Sequence, residues 1–405
     1  MSDSKYPIPV IPRQSNTKLW SLPFLIITIS NALLFLIFEM LLPIMPLYVN
    51  QIGGNATDVG LVTGIFMLSA IVVRPFSGYL LRFMDKKYLL IIGVVVNALA
   101  TGIYYFANNV EILLVIRVLH GVGFGLATTY FATLVAEIIP KERRGEGIGY
   151  YGVGETVAIS LGPMIGFGLL NILDFPKLFI GGMAVLLLST FMIILTKINP
   201  NTKQVKRDNK IKFVEMKVIK PSLLIMLVGI SASGIMSFFA LYAIENGFNE
   251  AGWFFFTVAV ASLLIRLISG KLFDSFGPFV ILIPSALLAI MGFILLYLAS
   301  SPIEFYIAAI LYGFGFGAIF PALQAWSINL VQEHEHEYAM STFFNSFDLG
   351  IGAGALLLGI LATTFSYSVI YIVGALFYVA FLLFCIVFVY NQKKSKQKGV
   401  SGASN

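Results

Sequence analysis

Arg117 to Gly166 reads RVLHGVGFGLATTYFATLVAEIIPKERRGEGIGYYGVGETVAISLGPMIG. Arg117 stands well inside an apolar run, Gly121 and Gly125 follow it, a basic turn spans Pro140 to Arg144, and a second apolar run carries Glu155, Gly162 and Pro163. Two membrane-length segments joined by a short basic turn read as a pair of bilayer-crossing helices. A charge and small residues inside them imply close helix packing around something polar.

Outward from this stretch the chain stays apolar. Of 405 residues 58% are hydrophobic and 11% charged, and the mean hydropathy is +0.91, outside the range of soluble domains. Twelve apolar runs are long enough to span a bilayer: about 21–48, 57–80, 88–106, 110–138, 147–170, 177–197, 220–246, 251–274, 278–299, 303–331, 337–365 and 367–391. Their continuity, without alternation, excludes a transmembrane β-barrel. The fold class expected is an all-α integral membrane protein with twelve transmembrane helices in two pseudo-symmetric six-helix bundles. The expected organisation is a tail at 1–20, a bundle at 21–197, a basic linker at 198–219, a second bundle at 220–391 and a tail at 392–405.

Charge sets the expected orientation. Three of the 26 Lys and Arg residues (Arg74, Arg117, Arg266) lie inside apolar runs. With both termini cytoplasmic, Lys177 alone faces outward, which matches the positive-inside rule. The net charge of +6 therefore reflects topology and contact with anionic lipid, and argues against nucleic acid as a partner. One cysteine, Cys385, excludes an intrachain disulfide and a Cys-based metal site. The first apolar run is too long for the core of a cleaved signal and lacks a small-residue cleavage site.

The two halves repeat. At an offset of 192 residues, Arg74, Ser77, Gly78 and Leu80 fall on Arg266, Ser269, Gly270 and Leu272. Gly121, Gly123, Phe124 and Gly125 fall on Gly313, Gly315, Phe316 and Gly317, and Gly162 falls on Gly354. Pro46–Val49 matches Ala240–Ala243 at 194, so a two-residue indel separates the blocks. Duplicated bundles with a site at their interface are a recurring transporter plan. Arg117 and Pro163 have no counterpart, since Ala309 and Ala355 stand in their places.

Over its whole length the chain resembles the major facilitator superfamily. Arg117-x-x-x-Gly121-x-Gly123-x-Gly125 resembles the family's fourth-helix motif, and Gly154 through Gly162-Pro163-x-x-Gly166 resembles the fifth-helix motif of twelve-helix drug/proton antiporters. The loop motif after the second helix is altered: Arg82 and Asp85 replace its acid and glycine after Gly78 and Leu80, while Gly270-x-Leu272-x-Asp274-x-x-Gly277 keeps it better. The resemblance implies a rocking-bundle transporter with Gly78, Arg82, Asp85, Gly121, Gly125, Gly162, Pro163, Gly166, Arg266, Gly270 and Asp274 in gating or conformational roles. It also implies that Glu39, four residues before Pro43, lies close to Arg117.

Intramembrane charges carry the functional reading, because each costs about 2.5 kcal/mol or more at the bilayer centre. Glu39 and Arg117 stand at similar depth. Two readings fit them, a static pair that orders helices, or a carboxylate that alternates between an arginine and an apolar setting and so loads and releases a proton. Glu155 and Asp348 are the assisting acids; Asp348 shares a face with Gly352, Ala355 and Gly359, and a proton or substrate contact and a helix cap suit it equally. Arg74 and Arg266 suit lipid snorkelling or pairing between the halves. His120 titrates near neutrality in principle or is a packing residue. Asn31, Phe35, Phe38, His120, Phe238, Phe239 and Asn345 are the candidates for a greasy substrate cavity. The Glu333–Glu337 alternation of acids and histidines reads as a solvated turn and not as a metal site.

The function expected is secondary active transport: proton-coupled antiport exporting a small organic or amphipathic compound. No enzyme activity, cofactor or metal is expected, and the partners are the substrate, protons and membrane lipids, in a monomer in a bacterial plasma membrane. A proton-coupled nutrient symporter and a non-transporting membrane sensor are the alternatives.

Overall fold

The computed structural model describes residues 19–140, 143–197, 214–248, 250–332 and 335–401. The expected tail through residue 18, the linker at 198–213, Glu333 with His334, and the last four residues lie outside these.

Among the described residues, twelve helices are long and apolar enough to cross a membrane. They are α1 Leu22–Gln51, α2 Ala56–Leu80, α3 Lys86–Phe106, α4 Val110–Ile138, α5 Tyr150–Leu170, α6 Phe175–Leu195, α7 Met216–Glu245, α8 Ala251–Phe276, α9 Phe279–Leu298, α10 Pro302–Asn329, α11 Tyr338–Thr364 and α12 Tyr367–Tyr390. Polar residues in the short turns start several of them. Asn55 and Asp58 form a capping box on α2, Ser301 and Glu304 form one on α10, and Asn109 and Asp174 accept from backbone amides of α4 and α6. Pro75 lacks an amide proton, and there α2 tightens into a 3₁₀ turn at Arg74–Phe76.

The repeat read from the sequence reappears in the packing. A Cβ on Gly125 would come 2.6 Å from the Ala70 carbonyl oxygen of α2, and one on Gly317 2.5 Å from Ser262 Cα of α8. Gly123 lies equally tight on Asn97 of α3, and Gly315 on Ala289 of α9. Tyr48 Oη donates to Tyr104 O at 3.1 Å, and its mate Tyr242 Oη donates to Leu296 O at 2.5 Å. The glycine ladders are therefore scaffold in both halves: they let α4 and α10 press on their neighbours backbone to backbone.

The halves meet where α2 packs on α11, α5 on α8, and α1 on α7. The end bearing the turn after α2, the end of α6 and the start of α7 carries Arg82, Lys86, Lys87, Lys197, Lys217 and Lys220, and is the basic end. Towards the opposite end α2 and α11 run antiparallel at close quarters. A Cβ on Gly359 would lie 2.6 Å from Ala56 O, Gly60 abuts the Ala355 carbonyl, and one on Gly64 would lie 2.8 Å from Leu356 Cγ. Thr57 and Thr363 hydroxyls close that seam at 2.9 Å. Phe167 of α5 stacks on Phe255 of α8, 5.6 Å between centroids, with Gly252 beneath the Phe167 ring. The bundles are sealed together at the end away from the basic turns.

Candidate functional site

Beneath the Phe167–Phe255 layer, between the halves, lies a narrow cavity with about 50 Å³ of water-accessible space. Its walls come from α1, α5, α7, α8 and α10. That volume holds a few waters, and it must widen to admit an organic molecule, since such sites measure roughly 300–1,000 Å³. Pro43, Pro163, Phe255, Tyr312 and Phe316 make most of it greasy. Two charged side chains reach it, Glu39 from α1 and Arg266 from α8.

Glu39 is 7% exposed. Gly162 explains how α5 crosses α1 at this level: a Cβ there would stand 2.6 Å from Glu39 Cβ, and one on Gly166 2.5 Å from Met40 O. The fifth-helix glycines thus bring Pro163 to the same cavity wall as the carboxylate. Among the described residues Glu39 makes no ion pair or hydrogen bond.

Arg117 lies elsewhere. It is 1% exposed, its guanidinium sits 5.3 Å from the Phe66 ring centroid and 5.4 Å from that of Tyr104, and its Nε and Nη2 have no hydrogen-bond partner. Tyr104 Oη and His120 Nδ1 are 2.7 Å apart beside it. No ion pair or hydrogen bond joins Glu39 and Arg117 in this state. Next to Glu39 on α1, Phe38 stacks on Phe66 at 5.2 Å and lies 4.6 Å from Phe124, so aromatic rings join α1, α2 and α4. Arg117 is turned into an aromatic cage at the end of α3, where cation–π contact replaces a carboxylate.

Asp348 and Arg74 form a second constellation, between the halves. Arg74 Nη1 donates to Asp348 Oδ2 at 2.7 Å and to Asn345 Oδ1 at 2.6 Å. Of the readings open for these residues, pairing between the halves holds here, and neither helix capping nor lipid snorkelling does. The stripe Asp348–Gly352–Ala355–Gly359 is the face that packs on α2. Glu155 Oε1 accepts from Asn31 Nδ2 at 3.0 Å, joining α5 to α1 inside one bundle.

The cavity candidates divide differently from expectation. Asn31, Phe35, Phe38, His120, Phe238, Phe239 and Asn345 do not border this cavity. Phe35 and Phe38 pack on Phe124, and Phe239 is fully buried with its ring 3.6 Å from that of Phe254. These rings supply bundle core because apolar residues on α1 and α7 face neighbours within their own half as well as the interface. Of the cavity's lining, sequence reasoning named Glu39, Pro163 and Arg266 as site residues and missed the rest, among them Phe255, Ala259 and Ser262, which share one stripe of α8 with Arg266 at helical spacing. Arg266 ending a stripe of small side chains was the available signal.

Of the gating candidates, Gly121, Gly125, Gly162 and Gly166 are in tight helix contacts, and a Cβ at Gly78 or Gly270 would meet nothing within 4 Å. Arg82 lies over the Tyr79 ring at 5.3 Å. Asp85 precedes α3 in extended conformation without a side-chain cap bond, and Asp274 is exposed near the end of α8. Lys86 and Glu137 tie α3 to α4 nearby.

A sequence model described as the Major Facilitator Superfamily matches residues 27–302 and 221–404. The staphylopine export protein of Staphylococcus aureus is 26% identical over 376 residues, 89% of this chain and 94% of that protein. An uncharacterized MFS-type transporter of Methanocaldococcus jannaschii is 25% identical over 350 residues, 83% and 90% of the two chains. The quinolone resistance protein NorA of S. aureus is 23% identical over 337 residues, 80% and 87%. Among solved structures, the nucleoside transporter NupG aligns with a TM-score of 0.72 at 13% identity, covering 90% of this chain and 98% of that one. A bacterial homolog of the human lysosomal transporter Spinster aligns at 0.69 with 16% identity, covering 92% and 96%.

Proposed function

Because this chain belongs to the Major Facilitator Superfamily, a family of transporters and not of enzymes, we propose that it is a proton-coupled antiporter that exports a small organic compound. The observation that carries this reading is Glu39, an acidic side chain without a cationic partner, in the cavity between the two halves. A carboxylate there can hold a proton in one state and give it up in the other as the bundles rock and its surroundings change. Gly162 and Pro163 support the coupling role, since they set the α5 wall directly against Glu39.

The direction of transport draws support from the named relatives, of which one is called an export protein and another a resistance protein. The basic end is assigned to the cytoplasm by the positive-inside rule, with both termini there and a bacterial plasma membrane as the location. In that orientation the described state is closed to the outside by the α2–α11 seam and the Phe167–Phe255 stack. Each monomer carries its own cavity and works alone. Arg117, without a carboxylate in this state, is the group that Glu39 would meet in another. Glu155 and Asp348 assist, the first through Asn31 and the second through the Arg74 latch.

The test is Glu39→Gln, which keeps the shape and removes the titrating group. Reconstituted in vesicles with an imposed proton gradient, this variant is expected to lose gradient-driven transport while folding normally. Undiminished gradient-driven transport by Glu39→Gln would show that coupling resides elsewhere.

A further inference from the structure

The repeat supplies a comparison between two related arginines. Arg74 is satisfied by Asp348 and Asn345 across the α2–α11 interface, at 2.7 and 2.6 Å. Its mate Arg266 faces the other interface, where α8 meets α5. At the 192-residue offset the places of Asn345 and Asp348 fall on Val153 and Thr156, so α5 offers no carboxylate there. Arg266 makes one hydrogen bond among the described residues, from Nε to Gly317 O at 3.3 Å, and no ion pair. Neither terminal nitrogen is among the buried polar atoms lacking a partner, and the side chain opens on the cavity. One half has its anion built in, and the other half leaves a cationic fork facing the cavity.

Glu39 faces that same space from another wall and does not pair with Arg266. An acid and a base that share a narrow cavity without touching leave room for a molecule that reaches both. Between them the walls are aromatic and aliphatic, with Phe255, Tyr312 and Phe316 on one side. We propose that the cavity takes an amphipathic zwitterion, whose carboxylate docks on Arg266 and whose cationic group takes the place of the proton on Glu39. A guanidinium suits a carboxylate because its nitrogens form two parallel bonds, and charge-assisted bonds of this kind strengthen where water is excluded.

The inference rests on the antiport reading for the proton it displaces. One proton leaves Glu39 to the water at the basic end for each cationic group bound, so charge balances at that site. The other ionisable groups near Glu39 are Asp348, already held by Arg74, and Arg266 and Tyr312 on the cavity walls; Glu155 on α5 is bonded to Asn31. None of them supplies a cation in contact with Glu39, and the substrate would.

Three naphthyl probes separate the charges: N,N,N-trimethyl-2-naphthylalanine (a fixed zwitterion), its methyl ester (a cation) and N-acetyl-2-naphthylalanine (an anion). Binding is measured on the full chain in nanodiscs by scintillation proximity with the tritiated zwitterion, and proton release is followed in weak buffer. The zwitterion is expected to bind about tenfold to a hundredfold more tightly than either singly charged probe. Arg266→Gln should bring its affinity down to that of the ester without changing the ester's own, and Arg266→Lys should recover part of the loss. Glu39→Gln should bring it down to that of the anion. Equal binding of zwitterion and ester by the wild type, an unchanged preference in Arg266→Gln, or no binding of any probe overturns the inference. Charge-selective binding without proton release would leave this site standing and remove the antiport reading. Gradient-driven transport without charge selectivity would do the reverse.

Discussion

Replacing Asp348 by asparagine removes the charge that Arg74 meets and keeps the side chain's shape. Arg74 then retains Asn345 but loses its carboxylate at 2.7 Å. Each side chain of the pair is 14% exposed, which puts it between two regimes. Exposed pairs contribute about 0.2–1 kcal/mol, and removing one partner of a fully buried pair costs about 3–5 kcal/mol. A loss of about 2 kcal/mol follows, or roughly 30-fold in any equilibrium that makes and breaks the contact. Arg74 and Asp348 belong to different bundles, so what weakens is the α2–α11 interface and not either half. Spin labels on cysteines introduced at Phe83 and Tyr338, 67% and 38% exposed at the basic end, report the separation of the halves by pulsed electron resonance. The native Cys385 is buried and stays unlabelled. Asp348→Asn should populate a second, longer separation, and the exchanged pair Arg74→Asp with Asp348→Arg should return the wild-type distribution. Superimposable distributions for wild type and Asp348→Asn, with unchanged thermal stability, would refute the latch.

Three further substitutions test other parts of the packing. Gly162→Ala places a Cβ 2.6 Å from Glu39 Cβ and 3.0 Å from Met40 N, and should lower stability by about 1–3 kcal/mol in thermal melts; Gly168→Ala, with open space around it, should not. Arg117→Met replaces a buried guanidinium, two of whose nitrogens are unpartnered, by an apolar chain, so melting should be unchanged or improved while gradient-driven transport falls; a large loss of stability would mean that Arg117 is chiefly structural. At the start of α6, the Lys177 ammonium and amide hold the Asp174 carboxyl below its ordinary range. That contribution is present above the unfolded carboxyl's titration and is lost as pH falls through the lower folded value, so Asp174→Asn should flatten the acid dependence of melting below about pH 4.

Much of the architecture could be read before the structure was known. Continuous apolar runs and the 192-residue offset are enough for twelve helices in two related halves, and the Asp348–Gly352–Ala355–Gly359 stripe marked a face that packs on α2. The candidate site was less legible. Depth along a helix can be counted from residue number, and on that basis Glu39 and Arg117 belong at one level. Which way each points depends on the rotation of whole helices, and here Arg117 points at the Phe66 and Tyr104 rings while Glu39 points at the cavity.

Membrane insertion, helix number and internal symmetry are local properties of hydropathy and periodicity, so the chain's own order of residues determines them. The partner of a charge is not local. Arg74 and Arg266 stand in the same repeat environment, yet one meets Asp348 and Asn345 and the other opens on a cavity with Glu39, because the helices that face them, α11 and α5, carry different residues at equivalent places. Only the apposition of the two bundles decides which arginine is a latch and which is left to face a ligand.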